Sequence, residues 1–372
     1  MKVMTIVGTR PEIIRLSSTI KVLDECCDHI LVHTGQNYDF ELNEIFFEDL
    51  GLRSPDFFLE AAGESACDTV GNIISSSYHL MQSLKPDALL ILGDTNSCMS
   101  VYAAKRLKIP TFHMEAGNRC FDQRVPEEIN RRLVDHISDV NLPYSEAARL
   151  NLLREGLPSD LILKTGSPMR EVLSSQMEKI ATSNILGKMN LGEKNYFVVS
   201  LHREENVSSE EKFKLFLEML NGLGHEFKLP IIVSTHPRTR KLLQTVDMDM
   251  DPLVVFSKPL SFSDYNCLQM NSKYALSDSG TISEESAILG FRAINLRDTH
   301  ERPEAMEAGI VPFIKPRLAD VLDGISIIDS LDHHFDTNPC PVDDYNSTDV
   351  SAKVAKIILS YTAYVNRVVW SI

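Results

Sequence analysis

Three acidic residues stand where apolar runs end or a helix opens. Asp94 closes DALLILGD (87–94), Glu115 follows the apolar part of TFHMEAG (111–117), and Glu127 opens the segment PEEINR (126–131). Each alone fits a helix cap or a solvated turn. Together, at one sheet edge, they would supply the proton donor and acceptor that general acid–base chemistry needs. Gly8-Thr9-Arg10-Pro11-Glu12 ends the first apolar run, with Arg15 soon after. Pro11 suits the first turn of a helix. Arg10 and Arg15 could face an anion, and solvated arginines on an N-capped helix fit the same residues.

The second half adds histidines and a small-residue turn. His202-Arg203 and His236-Pro237-Arg238 each follow a β-branched apolar run, but neither histidine has HxH or HExxH spacing, so no metal site is expected. Asp278-Ser279-Gly280-Thr281-Ile282-Ser283-Glu284-Glu285 reads as a strand end, a turn and a helix start. A helix N-terminus offers free N–H groups and a positive dipole end, which suits a diphosphate. Glu284 or Glu285 could then take ribose hydroxyls; a capping box built on Thr281 is the plainer alternative. Arg297 to Glu304, including Arg302, adds a second basic end beside the same turn. No GxGxxG occurs, which argues against chemistry through NAD.

These residues need a scaffold of alternating strands and helices. Strands are expected at 2–8, 29–35, 87–94, 111–117, 140–145 and 161–167, with helices at 11–24, 40–50, 97–107 and 126–136. The pattern restarts with strands at 196–202, 231–236, 253–259, 273–280 and 293–298. Near-continuous apolar strands between helices predict parallel sheets covered on both faces. The expectation is α/β: two doubly wound domains divided near 168–195, a polar loop at 332–348 and a last amphipathic helix from 350. Such domains side by side make a cleft at the carboxyl ends of their strands.

Composition agrees with this class. The 372 residues are 43% hydrophobic and 24% charged, which excludes disordered, collagen-like and disulfide-scaffold proteins. The net charge of −15 makes nucleic acid and anionic membranes poor partners, so any bound anion must meet a local basic cluster. Seven cysteines without a CxxC read as reduced thiols in a cytoplasmic protein. The N-terminus is too soon charged for a signal peptide, and no window approaches about 18 apolar residues, so no membrane insertion is expected.

Taken in order, GTRPEII, HTGQ, GDT, HMEAGNR, PEEINR, HREEN, THPRTR, SDSGTISEE and HERPEA resemble the signatures of the non-hydrolysing UDP-N-acetylglucosamine 2-epimerase family, from residue 3 to beyond 310. The resemblance implies the GT-B architecture: residues 1–168 with the C-terminal helix 350–372 as one Rossmann-like domain carrying the acid/base residues, and 169–349 as another binding UDP. It also implies a UDP-sugar substrate, no cofactor, no metal and a homodimer. Asp94, Glu115 and Glu127 are then the acid/base group, with His202 in the catalytic set. Arg10, Arg15 and His202 match contacts to diphosphate or sugar, and Arg203 belongs with the binding residues. Ser279, Gly280 and Thr281 match the phosphate turn, Glu285 the ribose carboxylate and Arg302 the basic residue beside the pyrophosphate; His236 and Arg238 are further binding residues.

GNRCFDQRVPEEINR with GTRPEIIRLS resembles, more narrowly, the enzymes that make UDP-N-acetyl-L-fucosamine from UDP-2-acetamido-2,6-dideoxy-L-talose in capsule and O-antigen pathways. The wider family has lysine at Arg15, SGG at residues 279–281 and a longer segment between EAG and PEE. A shorter loop and a bulkier cation suggest a differently shaped sugar pocket. The chemistry implied is loss of the C2 proton coupled to departure of UDP from C1, then re-addition to the glycal from the other face. Which carboxylate takes the proton stays open. So do the alternatives: UDP-N-acetylglucosamine as substrate, a hydrolysing 2-epimerase, a retaining GT-B glycosyltransferase, or a silent nucleotide-sugar binder.

Overall fold

β-Branched and aliphatic runs flanked by turns form the strands, and amphipathic segments between them form the helices. The computed structural model describes residues 1–36, 40–201, 210–235, 242–243, 246, 248–297, 301–331 and 340–372. In chain order the first part contains β1 (Lys2–Val7), α1 (Arg10–Cys26), β2 (Asp28–His33), α2 (Phe40–Asp49), β3 (Phe57–Phe58), α3 (Ala66–Leu84) and β4 (Ala88–Leu92). A 3₁₀ turn at Asn96–Met99 leads into α4 (Ser100–Arg106), then β5 (Thr111–Met114), α5 (Pro126–Ile137), β6 (Val140–Leu142), α6 (Glu146–Arg154), α7 (Met169–Thr182) and α8 (Ile185–Lys188). The second part contains β7 (Phe197–Ser200), α9 (Glu210–Phe227), β8 (Ile231–Ser234), β9 (Val254–Ser257), α10 (Phe262–Asn271), β10 (Tyr274–Ser277), α11 (Thr281–Leu289), β11 (Ala293–Asn295), α12 (Pro303–Glu307) and α13 (Leu318–Leu331). The last helix is α14 (Val350–Val365), continued by a π turn at Asn366–Trp370.

Two compact units result: Met1–Ser175 with Asp344–Ile372, and Gln176–Asp343. The division falls inside α7. The first half of α7 belongs with α14, because Glu171 accepts hydrogen bonds from the backbone N–H and hydroxyl of Ser351, and the Arg170 side chain donates to the Tyr345 carbonyl. The final helix lies against α1.

The first sheet has the order β3-β2-β1-β4-β5-β6 and the second β11-β10-β7-β8-β9; every pairing is parallel. In the first, the winding order of the strands reverses between β1 and β4, and in the second between β7 and β10. Such switch points leave a crevice at the carboxyl ends of the strands, where open α/β sheets bind ligands. Register does the rest. Leu92 stands opposite Met114, so the turns bearing Asp94 and Glu115 leave neighbouring strands at the same level.

Three readings need correction. Residues 161–167 are not a strand: Leu161 closes a 3₁₀ turn, Gly166 has φ +85°, and one bridge, Asn141 to Ile162, joins the stretch to β6. β6 stops at Leu142 and Pro143 has no N–H to continue the ladder, although its carbonyl still accepts from Thr165. The helix expected at 97–107 starts as a 3₁₀ turn. The long helix α3 was not anticipated, yet Ser65-x-x-Asp68 forms a reciprocal capping box at its start. Of the loop expected at 332–348, residues 332–339 lie outside the described part. All seven cysteines are free thiols, and among the described residues no helix is long and apolar enough to cross a membrane.

Candidate active site

The first cluster forms at the carboxyl ends of β1, β4 and β5. Glu115 has φ +64°, a left-handed backbone that costs a non-glycine residue about 1–2 kcal/mol. Its side chain is nearly buried. Arg15 from α1 lies 3.4 Å from Glu115 Oε2, and Asn118 Nδ2 donates to Oε1 at 3.4 Å. Arg131 from α5 donates from Nη1 to the Glu115 carbonyl at 2.6 Å; its Nη2 pairs with Asp94 Oδ2 and lies 3.8 Å from Glu115 Oε1. Asn130 Nδ2 donates to the Asp94 carbonyl at 2.9 Å.

Glu127 lies one turn before Arg131 on α5, a spacing that shares a helix face. It is half-buried and makes no hydrogen bond or ion pair among the described residues. Its neighbour Glu128 is buried and committed: it accepts from the Cys120 N–H at 2.9 Å and from Arg132 Nε at 2.8 Å. Arg15 stacks over the Tyr144 ring, 5.7 Å from its centroid, and the half-buried Arg10 lies 5.6 Å from the Phe46 centroid. Both expected cations of α1 are therefore held by aromatic faces.

Beneath this edge lies a buried ionic network that the sequence reading missed. His113 Nε2 bonds to the Gly93 carbonyl at 2.7 Å, and its Nδ1 is 2.9 Å from Asp135. Asp135 also meets Arg119 at 2.7 Å and accepts from the Gly117 N–H. Burial pushes the Asp135 carboxyl up, but His113 and Arg119 together hold it below its usual range. Arg119 in turn grips Glu155 with two hydrogen bonds, at 2.8 and 2.6 Å. The network ties the turn after β4 to the turn after β5.

Glu12 is a second missed residue. One oxygen accepts from Gly8 N, Thr9 N and Thr9 Oγ1 at 2.9, 2.7 and 2.8 Å, and the other from Ser97 Oγ. Burial raises its carboxyl above the usual range against those bonds. The capping spacing Thr9-x-x-Glu12 is the signal that could have found it.

The second cluster lies in the other unit, at the switch between β7 and β10. Gly280 is the N-cap of α11, with φ −65° and no side-chain cap bond, so the capping box on Thr281 does not form. A chain of hydroxyls orders the turn. Tyr265 donates to Ser200 at 2.9 Å, Ser200 bonds to Ser277 at 2.7 Å, and the Ser279 N–H donates to Ser277 Oγ at 3.0 Å. Ser279 and Thr281 hydroxyls are bonded at 2.9 Å. A Cβ on Gly280 would touch nothing, so open space lies over the start of α11. Arg302 reaches Glu284 at 3.4 Å, while Glu285 accepts from Gln269 at 3.1 Å. Of the two acidic candidates, Glu284 is committed to Arg302. His202, Arg203, His236 and Arg238 lie outside the described residues.

One unit offers carboxylates among cations, and the other offers a helix start with open space over its glycine N-cap and an arginine paired with its first turn. The first arrangement suits proton transfer, and the second suits a diphosphate. Known proteins agree. The profile of the family "UDP-N-acetylglucosamine 2-epimerase" matches residues 22–359. A Rickettsia bellii UDP-N-acetylglucosamine 2-epimerase structure is 48% identical, covers 100% of both chains and superposes with a TM-score of 0.91. The Methanocaldococcus jannaschii UDP-GlcNAc 2-epimerase, solved in complex with UDP-GlcNAc and UDP, is 31% identical, covers 96% of this chain and 99% of its own, and has a TM-score of 0.89. A Pseudomonas aeruginosa UDP-2,3-diacetamido-2,3-dideoxy-D-glucuronate 2-epimerase is 32% identical over 83% of this chain and 87% of its own. The chain belongs to the UDP-N-acetylglucosamine 2-epimerase family and is an isomerase acting on UDP-sugars.

Proposed function

We propose that this enzyme inverts C2 of UDP-2-acetamido-2,6-dideoxy-L-talose to give UDP-N-acetyl-L-fucosamine. One carboxylate among Asp94, Glu115 and Glu127 removes the C2 proton as the C1–O bond breaks. The bond electrons leave with UDP, and a C1–C2 double bond forms. A second carboxyl group returns a proton to the opposite face of C2, while the UDP oxygen rebuilds the bond to C1. No electrons are gained or lost over the cycle. Arg10 and Arg15, with His202 and Arg203, take the diphosphate or sugar; Ser279, Gly280, Thr281 and Arg302 hold the leaving diphosphate, and Glu285 the ribose. His236 and Arg238 join the binding set.

The observation that carries the reaction is the meeting of Asp94 and Glu115 around one shared cation, Arg131, at adjacent strand ends, with Arg15 on the far side of Glu115. What supports the L-talo substrate is the short segment from Gly117 to Val125, drawn in by Arg119 on Glu155 and Glu128 on the Cys120 amide. UDP-N-acetylglucosamine as substrate is the second reading, supported by the names of two of the relatives above. The proposal includes a homodimer, which the exposed Tyr102 of α4 and Ile129 and Leu133 of α5 support, and a cytoplasmic enzyme serving capsule or O-antigen synthesis.

Proton NMR of the enzyme with each UDP-sugar in D2O tests both levels. The L-talo sugar should be turned over in preference to UDP-N-acetylglucosamine, with one deuterium at C2 of the product. Preference for UDP-N-acetylglucosamine rejects the substrate; product without label rejects proton exchange at that carbon.

A further inference from the structure

We infer that Arg131 is a positioning residue for the proton transfer: a single guanidinium shared by Asp94 and Glu115 that fixes their spacing. The inference rests on the function proposed above. Two carboxylates at the ends of adjacent strands repel, and partial burial strengthens that repulsion. Without a countercharge one would swing away or take up a proton. Arg131 is 2% exposed and meets both. Its Nη2 pairs with Asp94 Oδ2 and stands 3.8 Å from Glu115 Oε1, while Nη1 holds the Glu115 carbonyl at 2.6 Å.

The carbonyl contact matters because Glu115 sits at φ +64°. A donor on that carbonyl holds the peptide plane in an orientation the chain would otherwise leave. Arg15 from α1 faces the other oxygen of Glu115, Asn118 stands beside it, and Glu127 shares the α5 face with Arg131. A planar fork can serve two carboxyl groups and a carbonyl together; an ammonium group is a single point.

Arg131→Gln and Arg131→Lys test this on whichever UDP-sugar the wild type epimerises, with UDP affinity read by calorimetry. By the size of such positioning effects, kcat should fall about 100-fold for the Gln variant and about 10-fold for Lys, with KM and UDP affinity changing less than about threefold. The low-pH limb of the kcat profile should move to higher pH for Gln and stay for Lys, since Lys keeps the charge. Lys also keeps most of the bulk, so it reads the geometry even if the Gln variant does not fold. Wild-type kcat in a folded variant, or parallel losses of kcat and UDP affinity with an unmoved pH profile, overturns the inference. The wild type in D2O separates the two proposals: C2 exchange by the wild type with unimpaired variants sinks the Arg131 role alone.

Discussion

Glu127 and Glu128 are adjacent, identical in type and opposite in fate. Glu128 is buried between the Cys120 amide and Arg132, while Glu127 is half-buried without a partner among the described residues. Sequence made both legible as acidic helix openers; helix phase and the fold-back of residues 117–125 decide which is available for chemistry. Glu127→Gln should therefore lower kcat by about 10²–10⁴-fold with UDP binding and melting temperature unchanged. Glu128→Gln should lower the melting temperature first, because it weakens two partly buried charge-assisted hydrogen bonds, one to the Cys120 amide and one to Arg132. Steady-state kinetics beside thermal melts check the pair. Reversed outcomes would move the acid/base role to Glu128.

At the scale of elements, two glycines show what is fold and what is site. Gly117 has φ +82°, and a Cβ there would strike the Ala148 carbonyl and Leu152 of α6. Gly280, starting α11, has φ −65° and open space around it. Gly117→Ala should destabilise the first unit by about 2–4 kcal/mol, since both backbone and packing object. Gly280→Ala should leave the denaturation midpoint unchanged yet weaken UDP binding at least about tenfold, because the added Cβ would occupy the open space through which a diphosphate approaches the helix start. Calorimetry with UDP and urea unfolding read the two effects. Unchanged UDP affinity in Gly280→Ala would remove the diphosphate from this turn.

For the whole molecule, buried titratable groups give stability a pH dependence. His33 ends β2, is 1% exposed, and accepts the Gly35 N–H at Nδ1. Burial lowers its pKa from 6.5 to about 4. The folded state thus binds fewer protons than the unfolded chain between these values. Its contribution is complete above pH 6.5 and is lost as pH falls through about 4, amounting to about 3 kcal/mol at 1.36 kcal/mol per pH unit. Glu12, raised by burial, works in the opposite sense: its contribution is present below its ordinary pKa and fades as pH rises through the shifted one. Urea midpoints of the wild type should drop between pH 7 and 4.5, and His33→Gln should flatten that drop. An unchanged slope in the variant would remove His33 as its source.

Sequence by itself determined what is local: buried strands from apolar runs, turns from glycine, helix starts from caps, and acidic or small residues at strand ends. Those are short-range preferences of a chain that must bury parallel strands on both faces. Nine ordered motifs also sufficed for the family. Which strand ends become neighbours was a tertiary decision. GDT and MEAG are some twenty residues apart in the chain, and only the order β1-β4-β5 with Leu92 beside Met114 brings Asp94 and Glu115 to one arginine. The His113–Asp135–Arg119–Glu155 network was equally hidden, because its members come from β5, α5, α6 and their loops and share no spacing. Charge pairing in a folded interior depends on distance in space, and no local periodicity encodes that.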